Sequence, residues 1–362
     1  EYVVLDMGWY YGEGLNTNNF RMENPPQYID EYGRLVPSLK KFPSAADGRG
    51  LKPVADYIHS LGLKFGIHIM RGIPWQAVEA DSPIKGSPYT ARDIATKDNS
   101  CIWYNGMWSV DISTPGAQEY YNSLIEMYVE WGVDFIKADD LLKGPYQKGE
   151  IEAIRKAVEK SGRPIVISLS AGPVPTYSVN HLRSNANMWR ITGDMWDHWR
   201  FIERTFHYSR DWQKYGIPNH WPDCDMLPFG KLRINGTDGM LAKALGVAKE
   251  ETVNEYSRLN LDEKRTVMGL WSIFRSPLMM GGNLLEMDEQ SFQLLTNKDI
   301  LYVNQHSTNN RELRYSENES IWIGEDVNTK TIYVAMFNFD NKEKRNIGLS
   351  WDEIGITGKQ SV

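Results

Sequence analysis

The chain has 362 residues, of which 41% are hydrophobic and 24% charged, and its formal net charge is −7. The excess of acidic residues argues against a polyanionic partner such as nucleic acid, and no apolar run reaches the roughly 20 residues that cross a bilayer. The two cysteines, Cys101 and Cys224, cannot build a disulfide framework or a thiolate zinc site.

Short apolar stretches alternate with amphipathic stretches from the N-terminus to about residue 280. The predicted strands are 2–6, 65–70, 135–138, 165–169, 188–192, a weaker one near His220, and 276–280. The predicted helices are 50–61, 116–131, 150–160, 195–212 and 262–274. Apolar strands that alternate with helices predict a parallel sheet covered by helices, and six or seven such units favour a (β/α)8 barrel over a doubly wound sheet. No glycine-rich phosphate fingerprint follows the first strand, which argues against a dinucleotide-binding fold.

The pattern changes after about residue 305. Residues 320–324 and 331–338 alternate in the manner of strands, with turn-rich segments beside them, which predicts the start of an antiparallel β-sandwich. Because the chain is longer than one compact domain usually is, we expect a barrel domain at 1–305 and a partial β domain at 306–362. The chain enters a strand at once without an initiator Met. We therefore expect a segment of a longer protein whose barrel lacks its first strand, with localisation signals outside the segment, so no compartment is predicted.

Acidic residues collect directly after the predicted strands. They are Asp6, Asp139 with Asp140, Asp194, and Asp223 with Asp225. In a βα barrel these positions face a common crevice, and burying acids there is costly unless they have a partner or a function. Two carboxylates from different strands, with Lys137 and Arg190 nearby, meet the needs of glycoside hydrolysis. Other barrel hydrolases and aldolase-like lyases remain alternatives on this evidence.

Seven segments, in order along nearly the whole chain, resemble glycoside hydrolase family 27, which contains α-galactosidases, α-N-acetylgalactosaminidases and β-L-arabinopyranosidases. The segments are Leu5-Asp6-Met7-Gly8-Trp9, Gly33-Arg34-Leu35-Val36-Pro37 with Lys41-Phe42-Pro43-Ser44, Leu61-Gly62-Leu63-Lys64-Phe65-Gly66-Ile67-His68, Trp131-Gly132-Val133-Asp134-Phe135-Ile136-Lys137-Ala138-Asp139, Trp189-Arg190-Ile191-Thr192-Gly193-Asp194, Trp221-Pro222-Asp223-Cys224-Asp225-Met226-Leu227, and Ser276-Pro277-Leu278 with Asn304-Gln305. The fourth resembles the family's nucleophile motif, and the fifth resembles its acid/base strand.

The resemblance implies a retaining exo-glycosidase that releases terminal α-linked galactose or N-acetylgalactosamine through a covalent glycosyl-aspartate, without a cofactor. It assigns Asp139 as the nucleophile and Asp194 as the general acid and then the base. A nucleophile must stay ionised, and Lys137 on the same strand would lower the pKa of Asp139. The competing interpretations are a salt bridge between Asp139 and Lys137, and Asp197 in place of Asp194.

The resemblance also implies residues that bind the sugar. Asp6 and Lys137 resemble positions that hydrogen-bond its hydroxyl groups, and Asp225 falls on a position that lines the pocket. Arg190 resembles a contact on the side of the 2-substituent, with a structural salt bridge as the alternative. The implied partner is a carbohydrate with a terminal α-galactosyl-type residue; no nucleic acid or membrane partner is expected, and no oligomeric state is predicted.

Departures from the family pattern leave the sugar open. His68 replaces a family Tyr and is either a sugar contact or a buried, hydrogen-bonded histidine. Met7 stands where many α-galactosidases have a second Asp, so one hydrogen bond to the axial or 6-hydroxyl region of the sugar is missing. A glycosidase of different specificity from the same family, such as a β-L-arabinopyranosidase, is therefore the alternative to an enzyme for galactose or N-acetylgalactosamine. Ser170 stands where galactose-selecting enzymes commonly carry Glu, and its small side chain leaves room for a 2-acetamido group. From another class of protein, a non-catalytic carbohydrate-binding barrel is the alternative, although a binder needs no Asp139/Asp194 pair.

Overall fold

The computed structural model describes residues 1–16, 19–232, 256–340 and 343–356. The chain divides into two compact units, Glu1–Arg190 and Ile191–Val362. No helix in these described ranges is long and apolar enough to cross a membrane.

The first unit is built on a parallel sheet. Its strands are β1 (Tyr2–Leu5), β2 (Lys64–Met70), β3 (Ile73–Pro74), β4 (Ala95–Thr96), β5 (Met107–Val110), β6 (Phe135–Asp139), β7 (Val166–Leu169) and β8 (Met188–Arg190). Its helices are α1 (Lys52–Ser60), α2 (Trp75–Ala80), α3 (Ala91–Ile94), α4 (Ala117–Glu130), α5 (Lys148–Ser161) and α6 (Val179–Asn185), with short 3-10 helices at Pro43–Ala45 and Thr176–Ser178. Strands β1, β2, β6, β7 and β8 lie side by side in this order, so their carboxyl ends share one edge.

Burial explains why these strands are almost continuously apolar. Every residue of β2 after Lys64 is buried, and Ile67, Ile136 and Ile167 have no exposed surface. A strand covered on both faces cannot alternate between polar and apolar residues. The register places Met70 opposite Asp139 and His68 opposite Lys137, which brings the polar residues of β2 and β6 to the same end of the sheet.

A small antiparallel sheet follows β2 and was not predicted. Its order is β3, β5, β4, with Ile73 opposite Trp108 and Ala95 opposite Val110. Two of these strands are only two residues long, so they leave no periodic pattern in the sequence.

The second unit carries the antiparallel strands. Its strands are β9 (Trp221–Asp223), β10 (Met226–Leu227), β11 (Met279–Met280), β12 (Ser307–Tyr315), β13 (Glu319–Asp326) and β14 (Ile332–Asn338). Its helices are α7 (Trp199–Trp212), α8 (Leu261–Phe274), α9 (Glu289–Leu295) and α10 (Lys298–His306), with a 3-10 helix at Asp352–Ile354. Strands β12, β13 and β14 form one antiparallel sheet, and β10 pairs with β11 in parallel. Helix α8 packs on β14, where an added Cβ on Gly269 would come within 3.2 Å of the Phe337 ring.

The parallel strands with alternating helices, followed by antiparallel strands, confirm the predicted fold class, a (β/α)8-type chain with a C-terminal antiparallel sheet. The sheet begins at Ser307, and β12 was missed because most of its residues are polar. The domain boundary between 305 and 306 stays a prediction, and residues 341–342 and 357–362 of the predicted β domain lie outside the described residues.

Candidate active site

Asp139 is the last residue of β6 and lies at the carboxyl edge of the parallel sheet. Its side chain is 14% exposed. One carboxylate oxygen, Oδ1, accepts a hydrogen bond of 2.6 Å from the backbone N–H of Asp140. The other, Oδ2, lies 3.1 Å from Nε2 of His68, which is on the neighbouring strand β2. The two oxygens of the carboxylate are therefore held by different elements.

The surroundings of Asp139 keep its carboxylate ionised. Burial by itself would raise the pKa, because it disfavours the charged form. The hydrogen bond and charge of His68, the charge of Lys137 and the N–H of Asp140 outweigh burial and lower the pKa of Asp139 to about 2. A carboxylate that is fully ionised near neutral pH is the form that attacks an anomeric carbon.

Lys137 on β6 and Asp6 after β1 form an ion pair, although β2 lies between these two strands in the sheet. The Lys137 Nζ lies 3.0 Å from Oδ2 of Asp6, which directly follows β1, and the Asp6 side chain is 67% exposed. The neighbouring protein removes some hydration from Asp6, which raises its pKa, but the charges of Lys137 and His68 and the N–H of Met7 together lower the pKa of Asp6 below its ordinary value. The pair offers an ammonium donor and a carboxylate acceptor, as hydroxyl groups require.

A buried ionic network includes Asp140, the residue after the predicted nucleophile, and was not predicted. Asp140 adopts a left-handed backbone with φ of 62°, and its carboxylate lies 2.9 Å from Nε of the buried Arg71. Arg71 also pairs with Glu150 at 3.0 Å, and the hydroxyl of Tyr121 donates to Glu150. Burial raises the pKa of Glu150 in spite of Arg71. The sequence did contain a signal for this network. Arg71 directly follows β2, and the pair Asp139-Asp140 stands at the end of β6, the neighbouring strand.

Ser170 and Arg190 lie at the ends of β7 and β8, and both are buried. The backbone N–H of Ser170 donates to the carbonyl of Ala138 at 2.9 Å, which keeps Ser170 in register beside the nucleophile strand. The Ser170 Oγ is buried and has no hydrogen-bond partner among the described residues. The sugar contacts predicted for both residues stay predictions.

In the second unit, Asp194 and Asp197 differ in burial. Asp194 lies on the connection before α7 and is exposed. Asp197 is buried, and its carboxylate accepts hydrogen bonds from the backbone N–H of Arg258 at 2.9 Å and from the Arg258 guanidinium at 3.2 Å. A carboxylate held in this way is occupied structurally, so the accessible Asp194 is the better candidate to exchange protons.

Asp225 anchors the segment that carries Asp194. It is buried with φ of 75°, and its Oδ2 accepts a hydrogen bond of 2.7 Å from the backbone N–H of Met195. Its own N–H donates to Oδ1 of Asp223 at 2.8 Å, and Trp271 donates to its carbonyl at 2.9 Å. Asp225 is therefore hydrogen-bonded to the backbone of the segment that carries Asp194, and its predicted contact with the sugar stays a prediction.

Within the described ranges, no group of three or more His, Cys, Asp and Glu side chains is arranged to hold a metal ion. The chemistry that the site residues offer is that of carboxylates beside a lysine and a histidine. Such a set can attack carbon and move protons.

Comparison with protein families identifies one family. The model described as "Alpha galactosidase A" matches residues 85–246 and 250–306. Alpha-galactosidase 2 of Arabidopsis thaliana is 26% identical over 338 residues, which are 92% of this chain and 68% of the relative. The alpha-N-acetylgalactosaminidase of Homo sapiens is 26% identical over 286 residues, 76% of this chain and 54% of the relative. The chain thus spans 54–68% of the length of these curated relatives.

Two solved structures match the chain at higher identity. A family 27 β-L-arabinopyranosidase from Geobacillus stearothermophilus, solved in complex with arabinose, is 44% identical with a TM-score of 0.91, and the match covers 98% of this chain and 80% of that one. A protein from Bacillus halodurans C-125 with a proposed alpha-N-acetylgalactosaminidase activity is 42% identical with a TM-score of 0.81, over 98% of this chain and 79% of that one.

Proposed function

The chain belongs to glycoside hydrolase family 27, and we propose that it is a retaining exo-glycosidase that releases terminal β-L-arabinopyranose. This sugar has the ring configuration of α-galactose without the hydroxymethyl group at C5. The single observation that carries a hydrolytic function is the environment of Asp139, a largely buried carboxylate held ionised at a strand end by His68 and Lys137.

The proposed reaction has two steps. An oxygen of Asp139 attacks the anomeric carbon while Asp194 gives a proton to the leaving oxygen, so the glycosidic bond breaks and a glycosyl ester of Asp139 forms. Asp194, now a carboxylate, then takes a proton from water, and this water attacks the anomeric carbon. The ester bond breaks, its electron pair returns to Asp139, and the sugar leaves with its configuration retained.

Met7 supports the choice of a pentose. It follows Asp6, the residue whose carboxylate pairs with Lys137, and its thioether is a weak acceptor with no proton to donate. It therefore offers little to a 6-hydroxyl group, and L-arabinopyranose has none. The higher identity to the Geobacillus β-L-arabinopyranosidase, 44% against 26% for the A. thaliana α-galactosidase, favours the same substrate.

Ser170 favours a second candidate, a terminal α-N-acetylgalactosaminide. Its Oγ is buried without a hydrogen-bond partner among the described residues, and the residue is much smaller than the Glu expected for galactose. A small side chain at this position leaves volume for a 2-acetamido group. The 42% identity to the B. halodurans protein agrees with this candidate.

The test is a panel of nitrophenyl glycosides incubated with the full chain and with the Asp139→Asn variant as the matched control. The panel contains the β-L-arabinopyranoside, α-galactoside, α-N-acetylgalactosaminide and α-glucoside. We expect the highest kcat/KM on the β-L-arabinopyranoside and none with D139N. A preference for the α-N-acetylgalactosaminide would select the second candidate, and sugar binding without turnover by either protein would indicate a carbohydrate-binding barrel.

A further inference from the structure

We infer that His68 is a positioning residue for the nucleophile, because its ring Nε2–H donates a hydrogen bond to Oδ2 of Asp139 and fixes the plane of that carboxylate. The inference rests on the proposed function, in which Asp139 is the attacking group. In this inference His68 acts by orienting Asp139 and does not contact the sugar.

Burial of the histidine separates these two roles. His68 is only 1% exposed, and its Nε2 lies 3.1 Å from Asp139 Oδ2. Because the imidazole of His68 is shielded from solvent, its N–H groups are not accessible to an incoming sugar. Its charged surroundings are Asp139, Lys137 and Asp6, of which Lys137 is its direct partner in the strand register.

The other ring nitrogen indicates where the proton lies. Nδ1 of His68 is buried and has no hydrogen-bond partner within the described part of the chain. If only Nδ1 carried the proton, a donor would be buried without an acceptor, and the lone pair of Nε2 would face a carboxylate oxygen. Both the neutral Nε2–H form and the doubly protonated form avoid that repulsion, and both direct a hydrogen at Oδ2.

The two donors together stop the carboxylate from rotating. Oδ1 is held by the Asp140 N–H at 2.6 Å and Oδ2 by His68 at 3.1 Å. Donors to a carboxylate stabilise its charge, and that charge is present in the resting enzyme, disappears in the glycosyl ester and returns when the ester breaks. His68 should therefore assist most in the second step, in which Asp139 is the leaving group.

The backbone around His68 is held independently of its ring, which makes the ring a suitable target for substitution. The His68 carbonyl accepts a hydrogen bond of 2.8 Å from Nε1 of the buried Trp9, and the residue lies in the middle of β2. A side chain of similar size can therefore replace the imidazole without removing a main-chain contact.

The experiment compares His68→Leu, which has no donor, with His68→Gln, whose amide N–H can take the place of Nε2–H. We expect H68L to lower kcat about tenfold to a hundredfold, the value of a charge-assisted hydrogen bond. We also expect it to raise the acid-limb pKa of kcat/KM by about one pH unit, and to accumulate a glycosyl-enzyme visible as a burst and by intact mass. H68Q should recover most of the rate and the pH profile.

The inference would be overturned if H68L kept the wild-type acid limb without a burst, or if H68Q were as impaired as H68L while both melt at the wild-type temperature. Carboxyl ¹³C NMR of the aspartates, with D139N to assign the signal of Asp139, gives a readout that needs no turnover. An inactive wild-type chain whose Asp139 pKa still rises in H68L would count against the proposed function alone. An unchanged Asp139 pKa in H68L would count against the positioning role.

Discussion

The carboxylate of Asp225 accepts a hydrogen bond of 2.7 Å from the backbone N–H of Met195, the residue that follows Asp194. The bond joins the loop after β9 to the segment that precedes α7. Both partners are buried, so the bond is shielded from water and its geometry is restrained. Asp225 thereby restricts the position of the Asp194 side chain. It does so through the backbone of Met195 and not through a bond to Asp194 itself.

We predict that Asp225→Ala impairs proton transfer more than binding. Loss of a buried, charge-assisted bond costs about 1.5–3 kcal/mol, and part of this should appear as misplacement of Asp194. Glycosides with poor leaving groups, which depend on the acid, should lose more kcat than nitrophenyl glycosides. The measurement is the ratio of kcat for a methyl and a nitrophenyl glycoside of the same sugar.

Asp225→Asn is the matched control, since its amide oxygen can still accept the Met195 N–H. It should keep a ratio nearer to that of the wild type. Equal losses on both substrates in D225A, with KM raised, would instead support the predicted contact between Asp225 and the sugar.

Asp194 and Asp197 provide a second comparison, because they are three residues apart and differ in environment. Asp194→Ala should lose most turnover on poor leaving groups, and added azide should restore activity and give a glycosyl azide of retained configuration. Asp197→Asn should keep its activity per folded molecule but remove the negative charge that pairs with the Arg258 guanidinium. Because the Arg258 side chain is 24% exposed and the Asn amide can still accept hydrogen bonds, we expect a loss of about 1–3 kcal/mol, less than for a fully buried ion pair.

Urea unfolding measures the cost for D197N, and azide rescue is measured with D194A. If azide rescued D197A and not D194A, the roles of the two aspartates would be exchanged. If D197N unfolded like the wild type, the ion pair would carry no stability.

The sequence predicted the strand ends well because burial leaves an unmistakable pattern there. Continuous apolar runs placed β2, β6 and β7 within a residue of their observed bounds, and the residues after them were therefore located at the carboxyl edge. An amphipathic pattern likewise placed α8, whose N-terminus is fixed by the reciprocal capping bonds of Asn260 and Glu263, 2.9 Å each.

The sequence could not predict contacts that depend on register and on long-range pairing. The hydrogen bond of His68 to Asp139 requires β2 to lie beside β6 in a particular register. The start of α7 was expected at residue 195 but lies at Trp199, because Asp225 holds the N–H of Met195 and His198 caps the helix. Helical propensity alone does not reveal an anchor 30 residues away.

Met7 supports a prediction about specificity. Met7→Asp would place a carboxylate beside Asp6, where a 6-hydroxyl group can donate to it. The ratio of kcat/KM for the α-galactoside to that for the β-L-arabinopyranoside should rise about tenfold, as expected for one additional hydrogen bond to a charged group. Met7→Leu removes the thioether without adding an acceptor and should keep the wild-type ratio. A rise in M7L equal to that in M7D would show that size, and not hydrogen bonding, sets the preference.

The lowered pKa of Asp139 also predicts how stability depends on pH. Its pKa is about 2 in the folded chain against 3.8 as the ordinary value. Since the folded value is the lower one, the unfolded chain binds more protons between these values, and stability falls as the pH falls. The contribution of Asp139 to the free energy of unfolding is fully present above about pH 5 and is lost as the pH approaches 2. A difference of about two pKa units corresponds to about 2.5 kcal/mol.

Asp139→Asn has no carboxylate to titrate, so its free energy of unfolding, measured in urea from pH 6 to pH 2.5, should fall less steeply than that of the wild type. Parallel curves for the two proteins would mean that the pKa of Asp139 is not lowered by folding.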